Sequence, residues 1–480
     1  MNDRKGFGSN FGFLMAAVGS AVGLGNIWGF PNKMGANGGF PFLILYLALA
    51  LCCGVIIMLG ELALGRKTGH GAVGAYQSIS KRFKWLGWLG IAAAALIFSF
   101  YSALGGYCLR YVVVNFGNLI GAEFGTNGVG GADVFQGLLS QPDVSIAFAL
   151  AFMLITMLVV MSGVGGGIER VCSVGMPALF FILIICIIRS CTLPGAADGL
   201  KYMFVPGWAV ANGIIDEAPG FWRVLTAAGG QMFFSLSLGA GVMITYGSYL
   251  DKKQDLGKSA MIIVGMDTVV ALMAGLCVIP GRFALDPSGD LGGPELLFIT
   301  MQNVFDKMGP AGPVFGILFY LLVFFAAISS SISMLEVIVA HFCDKAREKG
   351  KGDRRKLYSA IAVVICAALC ALVCADGMGS NHISPAELLG LAGAKLPGWS
   401  TSWLGLFDSV AEGLLMPLGA LLMCLMISWE LKPDALRQEI LLNGENRPWV
   451  YDFFRLCVKY ITPLCMLMIL YGQISDFFIV

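Results

Sequence analysis

The chain has 480 residues, of which 57% are hydrophobic and 13% charged, with a formal net charge of +1. Charged residues make up about a quarter of an ordinary soluble domain, so this composition excludes a water-soluble globule of this length. The near-neutral balance, with no basic tract outside the loops, gives no footing for a nucleic-acid partner. A bilayer core admits only helices or closed barrels, because an unpaired backbone amide in lipid costs several kcal/mol. The apolar runs last roughly 20 residues without alternation, which favours helices. The fold class is therefore an all-α polytopic membrane protein, with the lipid bilayer as its first partner.

Hydropathy predicts eleven spans in chain order: 11–34, 40–64, 86–118, 144–162, 170–190, 221–249, 257–282, 312–343, 356–375, 404–429 and 453–475. Arg4 and Lys5, the loop holding Arg66, Lys67, Lys81, Arg82 and Lys84, and the tract from Lys345 to Lys356 all fall on one side. The 120–143 loop carries Glu123, Asp133 and Asp143 but no Lys or Arg. The positive-inside rule then predicts a cytoplasmic N-terminus, and an odd span count an external C-terminus. No soluble domain separates from the bundle, so 1–480 reads as one transmembrane domain. The 14 cysteines fall mostly in apolar runs (Cys52, Cys53, Cys366, Cys370, Cys424), where they act as small hydrophobes. No metal-ligand or redox cysteine spacing and no removed signal peptide is evident; the absence of a glycosylation sequon, the short outer loops and the lack of Cys in the 120–143 loop lean toward a bacterial inner membrane.

Two spans depart from a plain apolar helix. The first reads Gly19-Ser-Ala-Val-Gly-Leu-Gly25-Asn26 and the sixth Ser235-Leu-Ser-Leu-Gly-Ala-Gly241. Close packing through small residues explains either one alone. Irregular backbone at mid-membrane depth survives only when buried in protein or lining a cavity. Two such segments five spans apart are the expected sign of an inverted repeat whose broken helices form a midplane site.

The segments Gly19 to Trp28, Phe30-Pro31, Glu61 to Arg66, Gln231 to Gly239 and Ala326 to Ser333 together resemble the neurotransmitter:sodium symporter family, in its bacterial amino-acid branch. Transport through broken helices is what that resemblance implies, and the mechanism is carried over from the family. The resemblance implies a leucine-transporter-like five-plus-five inverted repeat with broken helices 1 and 6. The first repeat would cover about 11–190, the second about 221–430, and an extra helix 453–475. It implies a sodium-coupled symporter, not an enzyme, importing a neutral amino acid by alternating access.

Carried over by position, one sodium would take the carbonyl of Ala21, Asn26, Ser235, Asp267 and the substrate carboxylate. A second would take the carbonyls of Gly19, Val22 and Ala326 and the hydroxyls of Ser329 and Ser330. Hard cations take oxygen ligands, so the chemistry fits; read alone, the serines are also consistent with helix back-bonding at a packing contact. The substrate pocket would be Ser20, Ala21, Leu24, Gly25, Ile97, Tyr101, Phe234, Ser235, Ser237, Ala240, Ser330 and Met334. It holds no ionised side chain, which disfavours charged substrates. Monoamine-carrying relatives place an aspartate where this chain has Gly23, so glycine implies a substrate bringing its own carboxylate. Ala240, where many relatives have Phe or Met, implies a bulky hydrophobic one. No organic cofactor is implied.

Glu61 and Asp267 are carboxylates inside apolar spans, which are costly and usually functional. Glu61 is expected to support the unwound part of span six. Asp267, among Tyr46, Gln231 and Ser235, is expected to replace the chloride that some relatives need. The inner gate would pair Arg4 with Asp344 near Tyr249, and Gly167 with Pro177 would let span five open. The outer lid would be Tyr101 over Phe234. The family's outer ion pair is expected to be lost, since its positions fall at Gly29 and near Ala411, with Glu412 adjacent. That loss encourages a rival reading, a non-transporting sensor on the same fold. A membrane enzyme would need an intramembrane constellation that His70, His341 and His382, all at loops or span ends, do not make.

Overall fold

A computed structural model describes residues 6–285, 295–391, 396–431, 433–441 and 448–478. Among the described residues there are helices and no strands. Among the described residues nine helices are long and apolar enough to cross a membrane, and a tenth span is the bent pair Asn10–Ala21 and Gly25–Ala36, which meet at 45°. Phe221–Leu236 and Val242–Gly247, separated by a short non-helical stretch, fill the place of the sixth span, which brings the sequence order to eleven. The chain is a multi-pass helical membrane protein.

The longest spans form the frame. Span three (Lys81–Ile120) and span eight (Gly309–Glu348) pack along one another. At 1.5 Å per residue each reaches about 60 Å, twice the hydrocarbon thickness, so both run past the membrane core at their ends. Small residues bring such helices close: a Cβ on Gly106 would fall 2.5 Å from the backbone nitrogen of Ala149 on span four. Span one packs on spans five, seven and eight, and the first half of span six packs on span two and on span eleven (Pro448–Phe478).

The two breaks follow from local sequence. In span one, helical bonding stops at Val22, whose extended backbone (φ −73°, ψ 102°) turns the chain before Gly25. In span six, Ser237 is left-handed at φ 52°, Gly239 at 80° and Gly241 at 74°. Glycine takes that region without strain, whereas serine there is uncommon. Span five opens with Gly163 at φ 85° and a wide turn over Val164–Glu169, then carries Pro177 inside Arg170–Cys191. The proline leaves the carbonyl of Ser173 without its helical donor.

The break in span six gives a direct test of backbone constraint. A Cβ on Gly239 would fall 2.1 Å from the carbonyl oxygen of Met416, in addition to its positive φ. Gly239→Ala should therefore cost at least about 1–3 kcal/mol, seen as a lower melting temperature in detergent. Gly265→Ala, where a Cβ meets open space, should melt like the parent. Equal melting of the two variants would show that the break tolerates a side chain at 239.

Candidate functional site

The site begins with the groups that the broken helices leave over. A helix end leaves its last four carbonyls and first four amides without intrahelical partners. In span one, the Val22 amide closes on Val18 (2.6 Å), so Gly19, Ser20, Ala21 and Val22 present carbonyls at the break. The Gly23 amide donates to Asn26 Oδ1 at 2.9 Å, and the Leu24 amide donates to the Tyr101 hydroxyl at 2.5 Å. In span six, the Gly239 amide donates to Glu61 Oε1 at 2.7 Å. Glu61 thus meets the unwound backbone it was expected to meet.

One polar centre forms around Asp267, which is fully buried on span seven (Leu256–Leu285). Asn26 Nδ2 donates to its Oδ1 at 2.7 Å, Ser235 Oγ lies 3.0 Å from both carboxylate oxygens, and the Tyr46 hydroxyl lies 3.2 Å from Oδ2. Spans one, two and six therefore meet on one carboxylate. Ala21 is buried in the same span-one break. Gln231 does not join this centre; its Nε2 donates to the Gly25 carbonyl at 2.6 Å.

The second centre lies between span one and span eight. Ser329 Oγ is 3.0 Å from the Ala326 carbonyl and 3.4 Å from that of Val22. Ser330 Oγ is 3.2 Å from the Ser20 carbonyl and 3.4 Å from that of Gly19. Each hydroxyl has one proton, so these oxygens outnumber the donors among them. Gly19, Val22, Ala326, Ser329 and Ser330 are brought together, all buried.

The residues expected to line the substrate pocket are buried, and several are in contact. The Tyr101 and Phe234 rings are 6.4 Å apart. Ser237 Oγ donates to the Ser20 carbonyl at 3.1 Å, and Ser20 Oγ to Ser333 Oγ at 2.7 Å. Leu24, Gly25, Ile97, Ala240 and Met334 are buried as well. A Cβ at Gly23 would lie 2.3 Å from both Ser330 Oγ and Tyr101 Oη, and one at Gly25 would lie 3.0 Å from the Phe234 ring.

At the inner end, Arg4 lies outside the described residues. Gly6, Tyr249, Asp344 and Arg347 line one cavity of about 1130 Å³. Asp344 Oδ2 accepts from the Gly71 amide at 3.0 Å. Sequence reasoning missed the pair beside it. Glu336, fully buried, binds both Arg355 nitrogens (2.5 and 2.9 Å) and the Tyr249 hydroxyl (2.5 Å). A lone carboxylate in the apolar run Ile332–Val339 was the available signal.

At the outer end the structure corrects the expectation. The expected loss of an ion pair holds for Gly29 and Ala411, but Lys33 on span one pairs with Glu412 on span ten. The wide turn Ser409–Leu415 aims Glu412 inward. A Cβ at Gly29 would lie 2.8 Å from Gln231 Oε1, so a side chain there would require the Gln231 amide to shift. The cation sits one turn further out.

The chain is 36% identical over 477 residues to an uncharacterised sodium-dependent transporter, YhdH, of Bacillus subtilis, covering 97% of each. It is 26% identical to sodium-dependent nutrient amino acid transporter 1 of Drosophila persimilis, over 72% of this chain and 60% of that one. Among solved structures it superposes on MhsT in complex with L-phenylalanine with a TM-score of 0.83 and 34% identity, covering 98% of this chain and all of that one. The profile of the sodium:neurotransmitter symporter family matches residues 4–127 and 132–478, and the chain belongs to that family.

Proposed function

We propose that this protein imports a neutral, bulky hydrophobic amino acid with two sodium ions, by alternating access across a bacterial inner membrane. The observation that carries the reading is the oxygen-rich cluster of Gly19, Val22, Ala326, Ser329 and Ser330, where carbonyl acceptors outnumber hydroxyl protons. A small cation supplies the positive charge that such a cluster lacks. The second ion would sit at Asn26, Ser235, Asp267 and the Ala21 carbonyl, with the substrate carboxylate completing it. The positive N-terminal ends of the half-helices favour that carboxylate, and Gly23 leaves no space for a resident one. MhsT, bound to L-phenylalanine, supports a hydrophobic substrate.

In this scheme repeats at 11–190 and 221–430 rock against one another, with the N-terminus in the cytoplasm. Arg4 and Asp344 close the inner side, and Tyr101 over Phe234 closes the outer side. Asp267 provides the negative charge beside the first sodium, so chloride is not required. The Lys33–Glu412 pair removes the reason for preferring a sensor, since the outer mouth keeps an ion pair.

Sodium and substrate should each tighten the other's binding, because they share one site and coupling is reciprocal. The double variant Ser329→Ala with Ser330→Ala should weaken sodium-dependent binding tenfold or more, at about 1.5–3 kcal/mol for each lost interaction with a charge. Scintillation proximity binding across a sodium series reads this. Substrate affinity indifferent to sodium in the parent protein would sink the proposal.

Replacing chloride with gluconate should leave proteoliposome uptake nearly unchanged. Asp267→Ser should impair sodium binding, with added chloride restoring part of it. A strict chloride requirement in the parent protein would rule out the role given to Asp267.

Leucine, phenylalanine and tryptophan should outcompete glycine and alanine, because each CH₂ buried gains about 0.8 kcal/mol, roughly fourfold in affinity. Ala240→Phe should move the preference toward small amino acids. Competition assays that rank glycine or alanine above leucine in the parent protein would show that Ala240 does not set the pocket size.

A further inference from the structure

Spans four, five and eight enclose a cavity of about 400 Å³ on the outward face of the bundle, with Arg170 at one end. Its outer walls include Ile155 and Val174, which are 38% and 70% exposed at apolar span positions. The cavity exists partly because residue 175 is glycine: a Cβ there meets nothing within 4 Å. From Arg170 to Ala178 the groove follows span five for about 12 Å. Its volume lies within the roughly 300–1,000 Å³ of small-molecule sites.

Charge decides which molecule fits. No Asp or Glu lines the cavity. The neighbouring Glu169 turns its carboxylate the other way, accepting from the Gly8 amide at 2.6 Å and from Ser9 Oγ at 2.8 Å. The exposed Arg170 is thus the one ionised group at the groove, near the end of the bundle that holds the N-terminal segment. Lipid tails are as apolar as leucine, so burial from water cannot hold a lipid here. Retention must come from filling the void and from headgroup charge.

We infer that this groove is a binding site for an acidic phospholipid, with one acyl chain between spans four, five and eight and the phosphate on Arg170. The chain would lie against Cys172, Met176 and Ser329. Those same three side chains wall off Gly19, whose Cβ position is 3.1–3.3 Å from each of them. A lipid here therefore lies against Ser329, at the edge of the oxygen cluster between spans one and eight. The site requires only that the chain spans a membrane, so it stands apart from the proposed substrate and ions.

Native mass spectrometry of the detergent-purified protein, titrated with phosphatidylglycerol or phosphatidylcholine, tests it. The parent protein and Gly265→Trp, a tryptophan on open surface elsewhere, should retain one phosphatidylglycerol in preference to phosphatidylcholine, by roughly fivefold. Gly175→Trp should lose that adduct by filling the groove, and Ile155→Trp on the facing wall should do the same if Gly175→Trp does not fold. Arg170→Gln should keep lipid binding but lose the headgroup preference. An equal preference for both lipids in the parent protein, or an undiminished adduct in the groove-filling variant, overturns the inference.

Discussion

A backbone amide or carbonyl left unpaired in hydrocarbon costs several kcal/mol, and this protein breaks two of its spans at mid-membrane depth. The rest of the core can be understood as the answer to that cost. Glu61 takes the Gly239 amide, Tyr101 the Leu24 amide, Asn26 the Gly23 amide, Gln231 the Gly25 carbonyl and Ser237 the Ser20 carbonyl. These partners come from spans two, three and six as well as from span one itself. Each break is therefore held by side chains on other helices. A shift of one span alters the hydrogen bonding of another, which is the mechanical link that transport by moving helices needs.

The groups not matched in this way are as informative as those that are. Donors run short at the Gly19 and Val22 carbonyls, where the Ser329 and Ser330 hydroxyls each also lie beside another carbonyl. Around Asp267 the opposite holds: Asn26, Ser235 and Tyr46 all approach one carboxylate. The proposed second sodium would thus complete a neutral oxygen cage, and the proposed first would join an anionic one. On that proposal only the Asp267 centre would carry a built-in full charge, which is why the chloride question attaches to Asp267 and not to the serines.

Most of this was legible in the sequence because it depends on local pattern. Apolar run length gave the spans, and glycine among hydroxyl residues marked both breaks; the structure places them at Val22–Leu24 and Ser237–Gly241. The contact between Glu61 and the unwound part of span six came from the resemblance, and so did the gathering of residues from spans one and eight. Pairings set by the tertiary path were not legible. Glu336 meets Arg355 across nineteen residues, and Lys33 meets Glu412 across the whole core. The family pattern looked for a cation at position 29, whereas the cation at this end is Lys33, four residues on. A motif reports which residue types occupy its own positions, and a partner supplied one turn away by another residue is invisible to it.

The displaced outer pair has a mechanical consequence of its own. Residue 33 is four positions after Gly29, so it lies on the same helix face one turn outward, and Glu412 follows Ala411 directly. The pair has moved toward the mouth, where Lys33 is 24% exposed and Glu412 9%. A part-exposed lysine pair contributes about 1 kcal/mol or less, and an aromatic contact such as Tyr101 with Phe234 about 0.5–1.5 kcal/mol beyond its burial. Lys33, Asp408, Glu412 and Gln473 line one outer cavity of about 300 Å³, so span eleven reaches the same mouth. On the proposed mechanism, outer closure then rests on several comparable small terms contributed by spans one, three, six and ten. No single one of them locks the mouth. A substrate that adds contacts to the closed form need supply only a few kcal/mol to shift the balance, which suits a site that must open again in every cycle.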